Sequence, residues 1–290
     1  MDPITVDTPD VYSVLHPTDF SEASRIAFAH ALRVTLAVKG RIDILHVDTK
    51  DQTDWDDFPG VREMLQDWNL IPVGSDRQAV IDLGIHVHKA IIERSNPVRG
   101  TLDYLQKHPA DLIVLAVHQS NGRMSWFKRS VGEPIGRGSG QAVLYLPEGQ
   151  AGFVSSVDGS LSLDRIVIPV CDKPNPQPAI DALADFIRSM RLPSGRVTVL
   201  HVGDELSMPQ ITIPVDTPWD WELQVVSGET IGSIVDCASR TSAGLIAMAT
   251  DGRDGFLDGL RGSHSERVLR HAHCPVLVIP EGSRWNQTAS

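Results

Sequence analysis

Short runs of Val, Ile, Leu and Ala alternate along the chain with longer segments in which apolar residues recur every three or four positions. "YSVLH" (12–16) leads into "SEASRIAFAHALRVTLAV". "IDILHV" (42–47) leads, after an acidic loop, into "GVREMLQDWNL". "GIHVHKAII" (84–92) precedes "NPVRGTLDYLQKH", "DLIVLAV" (111–117) precedes "RSVGEPIGR", and "AVLYLP" (142–147) closes the series. Continuous apolar runs are the mark of parallel strands buried on both faces, and the periodic segments between them read as crossover helices. The pattern predicts a parallel α/β sheet covered on both sides.

The second half of the chain plays the same order. "DRIVIPV" (164–170) matches the first strand, "VTVLHV" (197–202) matches "IDILHV", "GLIAMAT" matches "DLIVLAV", and "VLVIPEG" (276–282) matches "VLYLPEG" (143–149). From about residue 96 onward the two halves align at a constant offset of 133, which places Asp103 on Asp236, Ser130 on Ser263, Glu133 on Glu266 and Pro147 on Pro280. Earlier the offset is 155, with His46 on His201, so the second half is 22 residues shorter between its second strand and third helix. The gap removes the counterpart of "GVREMLQDWNL" and leaves a Pro-rich loop, "GDELSMPQITIPVDTPWDW". The reading is two copies of one domain, 11–149 and 163–282, the second trimmed, joined by a small, polar linker at 150–162. Trp219 and Trp221 are expected to cover the sheet where the lost helix would have packed.

Composition narrows the function. With 290 residues, two domains of ordinary size are expected. A net charge of −11 argues against a nucleic-acid or anionic-membrane surface, since both recruit positive charge. Three widely spaced cysteines, Cys171, Cys237 and Cys274, read as a reduced cytoplasmic protein without a disulfide framework. No apolar run approaches the length of a membrane helix, and the acidic start "MDPITVDTPD" lacks a signal core.

The stretch "TDGRDGFLDGLRGSHSERVLR" (250–270) follows a strand-like run and precedes a helix-like one. Glycines there let backbone N–H groups approach an anion, and the helix N-terminus favours negative charge. Ser263 can donate to a phosphate oxygen, and Arg253 or Arg261 can add charge. No Gly-Lys-Ser/Thr occurs, so this is not a Walker A loop.

"LHPTDFSEAS" (15–24), the repeated "LHV" strands and "GRDGFLDGLRGSHSERVLRHAHCPVLVIP", in this order, resemble the universal stress protein family in its tandem form, over about 11–149 and 163–282. The resemblance implies two doubly wound, mostly parallel five-stranded sheets of the adenine nucleotide alpha hydrolase-like kind, with strand order near 3-2-1-4-5. It also implies that the last strands of the halves pair antiparallel, making an intramolecular pseudo-twofold dimer; a further homodimer is compatible. Nucleotide-binding members carry Gly, two residues, Gly, nine residues, then Gly and Ser or Thr. Here Gly252, Gly262 and Ser263 fit, and Ala249 stands at the first glycine position. The family's acidic residue after the first strand falls on Asp19 in the first half and on Cys171, with Asp172 one residue late, in the second. The first half's loop keeps Ser130 alone, with Ala116, Gln119 and Arg129 at the glycine positions. The expectation is therefore a stress-response sensor that binds ATP, with Mg, or a related adenine nucleotide in the second half, and is not an enzyme beyond a slow ATPase. The alternative is a non-nucleotide protein acting through protein partners or another small ligand.

Other candidates carry blander readings. His16, His46 and His118, with Asp19, stand at strand ends where a metal could gather them, yet the repeated "LHV" argues for structural histidines. "RHAHCP" (270–275) reads as a last helical turn suited to the helix dipole. "GRGSG" (136–140) precedes a strand, so it reads as a helix-ending loop and not a dinucleotide fingerprint. Cys171 is a thiol beside the expected crevice, and Ser263 has no oriented base to make it a nucleophile.

Overall fold

The computed structural model describes residues 11–49, 53–117, 132–251 and 264–282. In the first half, β1 (Ser13–Pro17), α1 (Glu22–Val38), β2 (Arg41–Asp48), α2 (Val61–Asp67), α3 (Arg77–Asp82), β3 (His86–Glu93), α4 (Pro97–Lys107), β4 (Leu112–Val117), α5 (Gly132–Ser139) and β5 (Ala142–Pro147) follow one another. In the second come β6 (Arg165–Val170), α6 (Gln177–Ser189), β7 (Gly195–Val202), β8 (Trp219–Val226), α7 (Thr230–Thr241), β9 (Leu245–Thr250), α8 (His264–His271) and β10 (Val276–Pro280). All ten strands belong to one sheet, ordered β3-β2-β1-β4-β5-β10-β9-β6-β7-β8. Each half thus has the order 3-2-1-4-5, parallel throughout, and the halves meet where β5 and β10 run antiparallel, Leu144 opposite Leu277. Every residue of these two strands is buried. Pairing them removes two apolar edges that would otherwise template aggregation.

Alternation along the strands builds two cores. Val14, Ile42 and Ile44 face one side with α1, α2 and α6, while Leu15, Leu45 and Ile113 face the other with α4, α5, α7 and α8. Both cores run unbroken from one half into the other. α1 shows the local logic of the helices. Ser21 caps it by accepting from the Ser24 N–H, its buried face carries Ala27, Phe28, Ala31 and Leu32, and Lys39 ends it in the left-handed region.

Residues 203–218 hold one short 3-10 turn (Glu205–Ser207) where the first half has α2 and α3. Met208, Ile211, Ile213 and Trp221 pack against that core instead. Trp219 is buried, donates its indole N–H to the Leu192 carbonyl at 3.3 Å, and lies against Gly195, where a Cβ would come within 2.6 Å of the ring. α3, capped by Asp76, is an element the hydrophobic pattern did not reveal, because only Val80 of its six residues is buried.

Two expectations are corrected. Residues 150–162 are not merely a polar linker. Val154 and Leu161 form an antiparallel bridge, and Phe153 is 1% exposed, edge-on to His30 of α1 and to Phe186 of α6. The segment is a clasp between the first helices of the two halves, driven by burial of an aromatic ring. "GRGSG" is also not a loop: Gly136 to Ser139 form the last turn of α5, and only Gly140, at φ 65, leaves it. The glycines serve close packing, Gly136 beneath the Tyr145 hydroxyl and Gly138 against Leu102.

Candidate functional site

In an open parallel sheet the ligand crevice lies at the carboxyl ends of the strands where the winding reverses, here between β1 and β4 and between β6 and β9. The registers show the crevice directly. β1 pairs with β2 over five residues, but with β4 only at Val14–Leu112 and Leu15–Ile113. β6 pairs with β7 over six residues, but with β9 only at Ile166–Leu245 and Val167–Ile246. Beyond those pairs the strands part. The same registers superpose Val14 on Ile166, and hence His16 on Ile168, Asp19 on Cys171 and Phe20 on Asp172.

The first half's parting is stitched by side chains. His16 is fully buried, its Nδ1 lies 2.9 Å from the Val114 carbonyl across the gap, and its Nε2 lies 3.4 Å from Ser24 Oγ. Burial pushes its imidazole down to about 4, against the pull of the Val114 carbonyl and Asp19, so the ring is neutral at pH 7. Nδ1 therefore donates to Val114. At the mouth, His46 donates Nδ1–H to the Thr18 carbonyl at 2.8 Å, and Phe20 stacks on its ring at 4.3 Å. Phe58 meets Phe20 edge-on, Trp55 stacks on Phe58, and Lys89 Nζ sits 5.5 Å from the Phe58 centroid. Phe20 holds a φ of 62, a costly region for a non-glycine residue, so this aromatic wall is imposed by its surroundings. Asp19 is exposed beside it, accepting from the Ser21 N–H at 3.0 Å.

Among the described residues, no histidine bridges the second half's parting. Ile168 replaces His16 and is fully buried, and a carboxylate, Asp172, replaces the Phe20 ring. His201 repeats the His46 contact, with Nδ1 3.1 Å from the Val170 carbonyl, and its Nε2 lies 3.0 Å from Ser207 Oγ. The repeated "LHV" histidine is thus a strand-end tie in both halves. Cys171 is exposed and donates to the Lys173 carbonyl at 3.1 Å. Burial raises its thiol above the ordinary value, and the Asp251 and Asp172 charges raise it further against the Lys173 contact. It is a protonated thiol at neutral pH, not a reactive thiolate. β6 and β9 are parallel neighbours, so Cys171, just past β6, and Asp251, just past β9, stand at the same end of the sheet.

Ala249, at the first glycine position, pairs with Ile279 inside β9 and is not among the positive-φ residues. Its backbone is one that alanine adopts freely, so the departure from glycine carries no conformational cost there. Of the sequence candidates, the structure brings Cys171, Asp172 and Ala249 to one crevice and sets Asp19 at the other. Gly252, Arg253, Arg261, Gly262 and Ser263, and Ser130 and His118 in the first half, lie outside the described residues. Among the described residues no three His, Cys, Asp or Glu side chains gather as a metal site, and no helix is long and apolar enough to cross a membrane. "RHAHCP" is the end of α8 and the turn after it, with Cys274 buried and its thiol pushed up to about 12, chiefly by burial. Sequence reasoning missed Phe20, Trp55, Phe58 and Asp251. Phe20 stood within "PTDF", but nothing in the pattern of a loop reports that its ring turns onto a histidine of the next strand.

A family model described as the universal stress protein family matches residues 12–147 and 216–280. The chain belongs to the universal stress protein family. A curated universal stress protein of Methanocaldococcus jannaschii is 43% identical over 56 residues, 19% of this chain and 33% of that relative, so the matched stretch spans a third of the relative's length. The crystal structure of a universal stress protein from Archaeoglobus fulgidus DSM 4304 superposes with a TM-score of 0.63 at 18% identity, covering 94% of this chain and 99% of that one. A functionally unknown protein from Pseudomonas aeruginosa PAO1 superposes with a TM-score of 0.61 at 12% identity, covering 96% of each chain. At these identities the likeness shows the fold. Membership of the family rests on the family model; residues 148–215, between its two matches, take in the clasp, β6, α6, β7, Cys171, Asp172 and most of the trimmed loop.

Proposed function

We propose that this universal stress protein is a stress-response sensor that binds an adenine nucleotide, ATP with Mg, in its second half. The observation that carries the reading is the unstitched parting of β6 and β9, which leads directly into the glycine-rich segment 252–263. Cys171 and Asp172 stand on one side of it and Ala249 on the other. Asp172 is suited to a ribose hydroxyl, an acceptor for a donor. Gly252, Gly262, Ser263 and Arg253 would hold the phosphates through backbone N–H groups, a hydroxyl and a guanidinium. A divalent cation would offset the repulsion between the phosphates and the acidic side chains nearby. The first half, with His16 bridging its parting and aromatic rings at its mouth, takes no nucleotide in this manner.

A ligand that binds only the folded state raises its stability by RT ln(1 + [L]/Kd). MgATP is therefore expected to raise the Tm of the wild-type protein and to leave that of Gly262→Asp unmoved. An equal response of both proteins would remove the loop from the site. Absence of any response in the wild type would favour the second reading, a family member that acts through protein partners or another small ligand. The observation favouring that reading is the split of the family's pattern, with the acidic Asp19 in one half and Gly252, Gly262 and Ser263 in the other.

A further inference from the structure

The seam between the halves carries a charged cluster that the nucleotide reading does not use. Glu133 and Glu266 occupy equivalent positions of the two halves, and so do Arg137 and Arg270, one helical turn further on. α5 and α8, which bear them, flank the antiparallel β5–β10 pair. Glu133 and Glu266 line one cavity of about 50 Å³ together with Arg137, Gln141 and Tyr145. Arg137 pairs with Glu266, whose side chain is only 12% exposed. Gln141 Oε1 is buried at the same cavity with no hydrogen-bond partner, so the space has a spare acceptor and calls for a donor.

Two carboxylates in so small a space, one already holding the nearer guanidinium, oppose joint ionisation. We propose that the Glu133–Glu266 pair is a proton-binding site that links the two halves: with one proton held the seam is tight, and with both carboxyls ionised α5 and α8 repel each other. The surroundings favour the protonated form. Burial raises Glu133 most, the Glu266 charge raises it further, and Arg270 and Arg137 only partly offset this, leaving it at about 7. From β5, the Tyr145 hydroxyl faces the pair and stays un-ionised, its own value raised by burial and by both glutamates. β9 and β10 bring Thr250, Val278 and Pro280 to the cavity, and β4 has no titratable side chain. α4 meets α5 through Leu102 beneath Gly138, and its Asp103 pairs with Arg94; α7 packs on α8, where its cap Glu229 pairs with Arg267, and its Asp236 and Arg240 do not line the cavity.

The sign follows from linkage. A carboxyl whose folded value exceeds its unfolded 4.5 contributes stability that is complete below 4.5 and is lost as pH rises through about 7. Glu133→Gln keeps the shape of the protonated acid and abolishes its ionisation. Urea midpoints of the wild type and this variant, taken from pH 5 to pH 8.5, are expected to differ least at the acid end. At the alkaline end the variant's folding constant is expected to be larger by on the order of ten-fold, after allowance for partial solvent screening. Contributions from histidines are common to both proteins and cancel in the difference. Carboxyl-detected NMR of the wild type provides a second reading that needs no variant, with one glutamate titrating near 7. Parallel midpoint profiles, or every carboxyl titrating below 5, would overturn the proposal. Neither measurement involves a nucleotide, so its failure and that of the nucleotide reading are separate outcomes.

Discussion

Replacing His30 by alanine should unclasp the two halves, and the structure sets the size of the effect. His30 is completely buried on α1. Its Nδ1 donates to the Ile26 carbonyl at 2.8 Å, so its Nε2 is the acceptor for two backbone donors, Phe153 N–H at 3.0 Å and Val154 N–H at 3.1 Å. Gly152, at φ 72, lets the chain pass directly over the ring. Removing the imidazole leaves two buried N–H groups without a partner, at about 1–3 kcal/mol each, and strips the edge-on contact from Phe153. A loss of about 2–5 kcal/mol is expected at pH 7.5, a large part of the ~5–15 kcal/mol typical of a domain. The same geometry fixes a pH dependence. Protonated Nε2 would confront two donors with a third, and burial lowers the imidazole from 6.5 to about 4. A folded value below the unfolded one means that stability is complete above 6.5 and is lost as pH falls from 6.5 towards 4. The loss reaches about 3 kcal/mol by the end of that window. Urea denaturation at pH 7.5 and pH 5 measures both effects. His30→Ala should be less stable at pH 7.5 and should lose less between the two pH values than the wild type does. A cost under about 0.5 kcal/mol, within the range of ordinary surface changes, or an unchanged pH response would refute the clasp.

Further expectations follow from single contacts. Iodoacetamide at pH 7.5 should label Cys171 alone among the three cysteines of the native protein, slowly and faster as pH rises, because Cys237 and Cys274 are buried; peptide mapping reads this out. Gly136→Ala should lower the urea midpoint by the equivalent of about 1–3 kcal/mol, since the new methyl meets the Tyr145 hydroxyl, whereas Gly149→Ala meets no neighbouring atom and costs only backbone strain at φ 79. Trp219→Ala should cost about 3–5 kcal/mol and expose the face beside Leu192, measurable by denaturation and by dye binding.

The inner strands were legible because burial on both faces writes them as unbroken Val, Ile and Leu runs, twice over, whereas their order came from the family resemblance. The absence of a counterpart to α2 in the second half was legible as a change of offset between His46–His201 and Asp103–Asp236, whereas α3 itself was not. The clasp was not. Between 150 and 162 only Phe153 and the Val154–Leu161 bridge carry the packing, and one buried ring among Gly, Ser and Asp has no period to detect. His30 was hidden for a similar reason, since a histidine within an apolar helix face gives no sign of which backbone groups will approach it. The crevice itself was placed by topology, but its contrast between halves depends on His16 facing Val114 and on the Phe20 ring turning onto His46. These are contacts between residues far apart in sequence, fixed only when the sheet closes. The seam cluster lay in the aligned positions of Glu133 and Glu266, yet alignment alone does not show that the two meet.

The central claim is that one half of this tandem protein holds the nucleotide and the other does not. Equilibrium dialysis with radiolabelled ATP and Mg on the intact chain counts the sites directly. The account predicts one nucleotide per chain, abolished by Gly262→Asp and retained in Asp19→Asn. Two nucleotides per chain, or one that survives Gly262→Asp and is lost in Asp19→Asn, would contradict it by placing binding in the stitched first half; none at all would refute the nucleotide reading.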